Sequence, residues 1–320
     1  MSTPSTLPPR DVAIAMIEHG VVKHQTRYDK VFFKAVLAGA FLSTGGLLLE
    51  IIEGGSPQLN SDNPGLVKIL GGGVFPVGLV MIVLTGQELL TSNMMVFPIA
   101  WMKGAIPWWS TFVNWIIVLF GNLCGSLFFA AVLVKYTGII STAPYEQFVM
   151  DFAIKKAGTP EWHQIFLRGI ACNWLVCIAV WQAAGSRETI SKVIAIWIPI
   201  WIFVACGYDH DLIGIKISQD DPANMFLVPV GILFGAPLTV AQYIRKSLIA
   251  AFLGNVVGAL CVAVPAVYFY LSDYDYRLDS RQLRNVEEGE ALNEIVQDVR
   301  TDKIKSSGSS GSVSNAKREN

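Results

Sequence analysis

Ser92-Asn93-Met94-Met95-Val96-Phe97-Pro98 returns later in the chain as Ala223-Asn224-Met225-Phe226-Leu227-Val228-Pro229. Both copies read small-Asn-Met-apolar-x-x-Pro, and both sit in long apolar stretches. Gly121-Asn122-Leu123-Cys124-Gly125 returns as Gly254-Asn255-Val256-Val257-Gly258 at nearly the same offset, and Lys34-Ala35 is answered by Arg168-Gly169. Three markers in one order are the signature of an internal repeat.

The surroundings say what is repeated. The chain is 52% hydrophobic and 15% charged, a membrane composition. Residues 108–134 and 247–271 hold no side chain charged at neutral pH, and each run is long enough to cross about 30 Å of hydrocarbon as a helix. Further spans are expected at 31–52 and 164–184. Two more are interrupted: one begins near Leu66 and breaks at Thr85-Gly86-Gln87-Glu88, the other begins near Ile190 and breaks at Gly207-Tyr208-Asp209-His210, resuming over 222–240. The expected fold is an all-α integral membrane protein with six transmembrane helices, the second and fifth broken. Repeats cover 29–137 and 163–272. A unit with an odd number of spans, copied once, must have its second copy upside down, so this is an inverted 3+3 repeat. In such proteins the two breaks meet near the midplane and line a polar path.

Residues 1–28 form a region of their own, in which Val12, Ala13, Met16, Ile17 and Val21 share one helical face. An amphipathic helix along the cytosolic membrane surface is expected there. Gly54–Gly65 reads as a loop, and a polar loop with a short helix precedes the fourth span. Residues 273–320 read as a polar cytosolic tail, partly disordered, with Leu292, Ile295, Val296 and Val299 as a helical stripe. Lys155, Lys156, Arg245 and Lys246 leave orientation unsettled. The amino terminus lacks the charged and apolar regions of a signal peptide, and the plasma membrane is the default location.

Several classes are excluded. The net charge of −1 and the lack of a basic, aromatic-interleaved stripe give no reason to expect nucleic acid. Cys124, Cys172, Cys177, Cys206 and Cys261 fall in apolar runs without metal or redox spacing. The four histidines and scattered carboxylates show no catalytic or ligand spacing, so neither an enzyme nor a cofactor or metal is expected.

The chemistry gathers at the breaks, marked by Gly86 and Gly207. An ionisable group at membrane depth costs about 2.5–3.5 kcal/mol and is normally functional or paired. His210, beside Asp209, can donate a hydrogen bond or pass a proton near physiological pH, a property suited to a path for weak-acid anions. A structural histidine capping a helix end is the plainer alternative. Glu88 and Asp209 occupy matching places after the break glycines and are expected to bond exposed amides there as structural groups. Thr91 and Asn173 are expected to line the path as neutral hydrogen-bonding groups, and Phe75, Leu79 and Phe203 to narrow it.

These residues bring a family into view. Over 11–271 the chain resembles the formate/nitrite transporter family, on Gly86-Gln87-Glu88-Leu89-Leu90-Thr91-Ser92-Asn93, on Arg168-Gly169-Ile170-Ala171-Cys172-Asn173-Trp174-Leu175-Val176-Cys177-Ile178-Ala179-Val180-Trp181, and on Phe203-Val204-Ala205-Cys206-Gly207-Tyr208-Asp209-His210. The resemblance implies an aquaporin-like protomer in a homopentamer, each protomer with its own pore. It makes His210 the central histidine and Thr91 its partner on the other break. It gives Lys156, with Lys155 adjacent, the role of drawing anions into the vestibule. It places Phe75 and Leu79 at one constriction and Phe203 at the other, with Asn173 and Asn255 beside the path. The chain departs from the family pattern where Asp211 to Asp221 intervenes between the histidine and Pro222-Ala223-Asn224.

The expected function is transport of a small monovalent weak-acid anion, nitrite or formate, with protons as possible co-substrate. The alternatives are an aquaporin-like pore for water, glycerol or ammonia, and transport of a monocarboxylate such as lactate or acetate.

Overall fold

The computed structural model describes residues 5–206 and 224–276, with the backbone alone at Asn224. His210, Asp209, Gly207, the 211–221 segment and the 292–299 stripe lie outside the described residues. One unit spans Met1–Asp273 and a second runs from Tyr274 to Asn320.

Every described element of the first unit is helical apart from an isolated bridge between Thr6 and Ser186. α1 (Pro9–Gln25) opens with proline in its first turn, where the missing N–H has no intrahelical partner to lose. α2 (Tyr28–Gly54) is the first long apolar rod. Gly54–Gly65, expected as a loop, contains the short helix α3 (Pro57–Asp62). Pro57 sets its first turn, and the Gln58 amide reaches the Asp62 carboxylate four residues on at 3.0 Å, a favourable helical spacing. α4 (Pro64–Val74) and α5 (Val77–Thr85) together form the second rod, and α6 (Leu90–Met102) follows the break.

α7 (Trp108–Phe128) continues as π-helical turns over Phe129–Lys135. α8 (Tyr145–Ala153) likewise passes into Ile154–Gly158. α9 (Trp162–Gly185) begins at a capping box between Glu161 and Gln164, and α10 (Thr189–Ala205) follows. α11 (Asn224–Phe234) stops short of the expected Val240, because Gly235 takes a φ of 106° and Pro237 follows. The last rod starts earlier than expected: α12 (Val240–Gln242) is capped by Thr239, and the turns of Tyr243–Leu248 lead into α13 (Ile249–Tyr270). Arg245 and Lys246 are thus inside the helix, and the Lys246 ammonium donates to the Gly158 carbonyl at 2.7 Å.

Among the described residues, five helical stretches are long and apolar enough to cross a membrane: Tyr28–Gly54, Pro64–Thr85, Trp108–Lys135, Trp162–Gly185 and Val240–Tyr270. α10 and the end of α11 are shorter apolar helices. Outward-facing Phe112, Ile116 and Phe120 on α7 and Ile190, Ile194 and Ile198 on α10 are exposed, as expected for surfaces that meet lipid or another subunit.

The most extensive pairings are α2 with α7 and α9 with α13. Close approach is built the same way in both. A Cβ at Gly125 would strike the Val36 carbonyl, and one at Gly258 would strike the Ile170 carbonyl. These are small-residue crossings of the membrane kind, and they use the repeated glycines at repeated places.

α1 does not lie apart from this assembly. Val12, Ala13, Met16 and Ile17 are buried, and the helix packs on α6, α9 and α13. Its apolar stripe is spent on protein, with Gly20 rather than Val21 completing the buried face because α6 comes close: a Cβ at Gly20 would meet the Ala100 Cβ at 2.6 Å. α8 packs on α11 through the reverse pair, Ala153 against Gly231.

Candidate functional site

The break after α5 is a designed opening in the helix. Gly86 turns left-handed (φ 67°) with no atom near where a Cβ would stand, so glycine is needed for its backbone angle. Residues 87–89 then lie outside both helices, with the Gln87 N–H donating back to the Ile82 carbonyl and the Leu89 carbonyl accepting from the Asn93 N–H. Unpaired backbone groups in a membrane interior cost several kcal/mol each, and one side chain from α7 supplies the partners. The Asn122 amide donates to the carbonyls of Glu88 (2.9 Å) and Ala35 (2.8 Å), while its oxygen accepts from the Leu90 N–H (3.0 Å).

Glu88 was expected to bond amides of the break; with Asn122 there, it does something else. Its carboxylate, 3% exposed, accepts from the Lys23 ammonium at 2.6 Å and the Asn93 amide at 2.8 Å. Asn93 also donates to Asn114 at 2.8 Å. The chain Lys23–Glu88–Asn93–Asn114 thus ties α1 to the break, α6 and α7.

A cavity of about 370 Å³ opens beside this network. His19, Lys23, Lys34 and Lys192 bring basic groups to its wall, Gly86, Gln87, Glu88 and Ser92 form its polar side, and Leu79 closes its floor. Partial burial of the His19 ring, then the positive charges of Lys23 and Lys192, lower its proton affinity below that of an ordinary histidine, with Glu18 acting the other way.

Beyond Leu79 lies a second cavity of about 10 Å³, lined by Leu42, Phe75, Leu79, Leu89, Thr91, Val176, Ile200 and Phe203. That is roughly the volume needed to admit one water. Phe203 meets Phe75 edge to face, centroids 6.1 Å apart. Phe203, expected at a separate constriction, therefore shares one apolar ring with Phe75 and Leu79. Thr91 lies beside it, 0% exposed, and its hydroxyl has no hydrogen-bond partner among the described residues, which is costly for a buried group unless something visits it.

The other expected residues divide. Asn173 was expected to line the path, but its amide is committed to the carbonyls of Asn255 (2.7 Å) and Thr91 (3.3 Å); it holds the wall. Asn255 is 5% exposed and its side-chain oxygen has no partner among the described residues. Lys156 is 1% exposed, with its ammonium 4.4 Å from the Phe152 ring. Among the described residues no cluster of His, Cys, Asp and Glu could hold a metal.

Composition alone did not single out Lys23, Asn122, Asn93, His19, Lys34 or Lys192 as functional. A signal for two of them was present: the interval from Lys23 to Lys156 equals that from Asn122 to Asn255.

Residues 10–270 match the family described as formate/nitrite transporter. The chain belongs to the formate/nitrite transporter family. A probable formate transporter of Methanothermobacter thermautotrophicus is 36% identical over 83% of this chain and 97% of its own. Formate channel FocA of Escherichia coli is 29% identical over 84% and 96%. A solved pentameric formate channel with formate bound superposes with a TM-score of 0.64 at 28% identity, covering 77% of this chain and 97% of its own. This formate/nitrite transporter is an all-α integral membrane protein, and it is not an enzyme.

Proposed function

We propose that this protein carries a small monovalent weak-acid anion, formate or nitrite, through a pore in each protomer, with His210 at the centre and Thr91 opposite it. The observation that carries the reading is the unpartnered Thr91 hydroxyl inside the apolar ring of Phe75, Leu79 and Phe203, next to the basic cavity of His19, Lys23, Lys34 and Lys192. Positive charge concentrates anions at the mouth. The ring strips water, and a hydroxyl and an imidazole replace part of the lost hydration. Protonation of the anion near His210 would lower the cost of crossing further, which makes the path proton-coupled.

The architecture that serves this is an aquaporin-like six-span inverted repeat, and its unit begins with a helix that does not span: α1 in the first half, α8 in the second. The paired contacts Gly125–Val36 and Gly258–Ile170, and Gly20–Ala100 and Ala153–Gly231, support that reading. In the sequence, Lys156, Asp209, Asn224 and Asn255 are the counterparts of Lys23, Glu88, Asn93 and Asn122. The assembly is a homopentamer in the plasma membrane.

Formate and nitrite flux into proteoliposomes at several external pH values tests the reading. Saturable uptake that rises at acid pH is the expected result; rapid water or glycerol flux without anion flux would overturn it.

A further inference from the structure

A cavity of about 520 Å³ lies between the Ile154–Gly158 turns and the start of the last rod, with Ala157, Gly158, Thr159, Gln242, Arg245 and Lys246 in its wall. The repeat says why it is open. The interval that takes Lys23 to Lys156 and Asn122 to Asn255 also takes His24 to Ala157, Trp109 to Gln242 and Phe112 to Arg245. In the first half two rings hold that place: His24 meets Trp109 edge to face with centroids 5.8 Å apart, and its Nδ1 lies 2.7 Å from the Ser110 hydroxyl. In the second half a methyl group and a glutamine stand for the two rings, and space is left over. The same interval carries His19 and Lys23, which line the basic cavity described above, to Phe152 and Lys156. Neither is in this wall, so the space is separate from the counterpart of that cavity.

The wall is cationic. Among the described residues it holds Arg245 and Lys246 and no carboxylate, and neither cation is in an ion pair. Lys246 gives one N–H to the Gly158 carbonyl at 2.7 Å, which fixes its ammonium at the wall and leaves two donors. The Arg245 guanidinium has a planar fork suited to phosphate oxygens, and Thr159 and Gln242 add a hydroxyl and an amide. The depth suits a lipid. The stretch Val240–Tyr270 has 31 residues, about 45 Å of helix against about 30 Å of hydrocarbon, so its first turns, with Arg245 and Lys246, stand among headgroups. Along the same face from Arg245, at four-residue steps, Ile249, Leu253 and Val257 are exposed, an apolar track for acyl chains.

We propose that this cavity binds the phosphodiester headgroup of an anionic phospholipid, with Arg245 and Lys246 as its cations and the acyl chains along Ile249, Leu253 and Val257. Arg245 takes phosphate oxygens in its fork, while Lys246, held by Gly158, supplies a point charge. A zwitterionic lipid brings its own cation to the same place and gains less from the two side chains. Free phosphate shares the chemistry of the headgroup but has no chains to lay on the apolar track. The first half has no such site, because His24 and Trp109 occupy the space and Phe112 stands where Arg245 would be needed.

Native mass spectra of the full-length protein in detergent, titrated with phosphatidylglycerol, phosphatidylcholine or inorganic phosphate, test this. Phosphatidylglycerol should stay bound to each protomer at concentrations roughly tenfold below those that phosphatidylcholine needs. Arg245→Gln should bring the two lipids level. So should Ala157→His with Gln242→Trp, which keeps both cations and fills the space as the first half does. Equal binding of the two lipids by the parent, or a preference unchanged in either variant, overturns the proposal. Displacement of phosphatidylglycerol by an equal concentration of inorganic phosphate also overturns it, since the ligand would then be a free anion. Should Arg245→Gln fail to assemble, Arg245→Lys, which keeps the charge without the fork, should narrow the preference; an unaltered preference counts against the proposal.

Discussion

Lys23 and Glu88 are joined across 65 residues of sequence by a 2.6 Å ion pair whose carboxylate side is sealed from solvent. The helix that precedes the first span is thereby fastened to the broken helix two residues past Gly86. Removing one partner of a sealed pair costs about 3 kcal/mol or more, because the other charge stays behind. Lys23→Met should lower the thermal midpoint of the detergent-purified protein markedly. Lys23→Met with Glu88→Gln should recover part of the loss, which a double-mutant cycle measures directly.

Asn122 replaces the helical partners that the break gives up. Asn122→Leu keeps the volume but orphans the buried Leu90 N–H and takes the side-chain donor from the Glu88 carbonyl, at about 1–3 kcal/mol each. A large stability loss is expected, read by thermal unfolding, with a comparable loss for Asn255→Leu if the second break is held in the same way.

Thr91→Val should separate transport from stability. The hydroxyl has no partner among the described residues, so the thermal midpoint should hold or rise. Formate flux should fall roughly tenfold, the factor that about 1.4 kcal/mol of lost hydrogen bonding carries. Unchanged flux would remove Thr91 from the path.

Leu79 is shared by the wide cavity and the narrow one. Leu79→Ala should open the ring and admit acetate and lactate, which competition against formate uptake would report.

His19 gives a pH effect of definite sign. Its proton affinity is lowered in the fold by burial and by Lys23 and Lys192, so an unfolded chain takes up the proton at higher pH than the folded one. Stability should therefore fall as pH drops through and below the ordinary histidine range. His19→Gln should show a smaller drop in thermal midpoint over that range than the parent.

Much of the fold was legible because membrane burial writes long apolar runs, and because the repeated Asn-Met and Gly-Asn markers sit at helix crossings and breaks. Phe75, Leu79 and Thr91 could be placed beside the first break because Gly86 marks it in the sequence, and the structure gathers them with Phe203 around one small cavity. The misplaced parts depend on partners from distant elements. Glu88 bonds Lys23 and Asn93 because Asn122, from α7, already serves the amide and carbonyl beside it. The commitment of Asn173 to two carbonyls on α6 and α13 depends on a three-helix junction that no spacing within α9 reveals. The apolar stripe of α1 says that something covers it, and only the packing shows that protein does.

The meeting of Gly20 with Ala100, and of Ala153 with Gly231, has a consequence for how such a chain can change. Each junction has room for one methyl group, and the two halves have put it on opposite partners. What is fixed is the shared volume of the pair, and the residue at either position is free so long as its neighbour compensates. Gly20→Ala alone should crowd the junction, whereas Gly20→Ala with Ala100→Gly should restore it, rewriting one half in the idiom of the other.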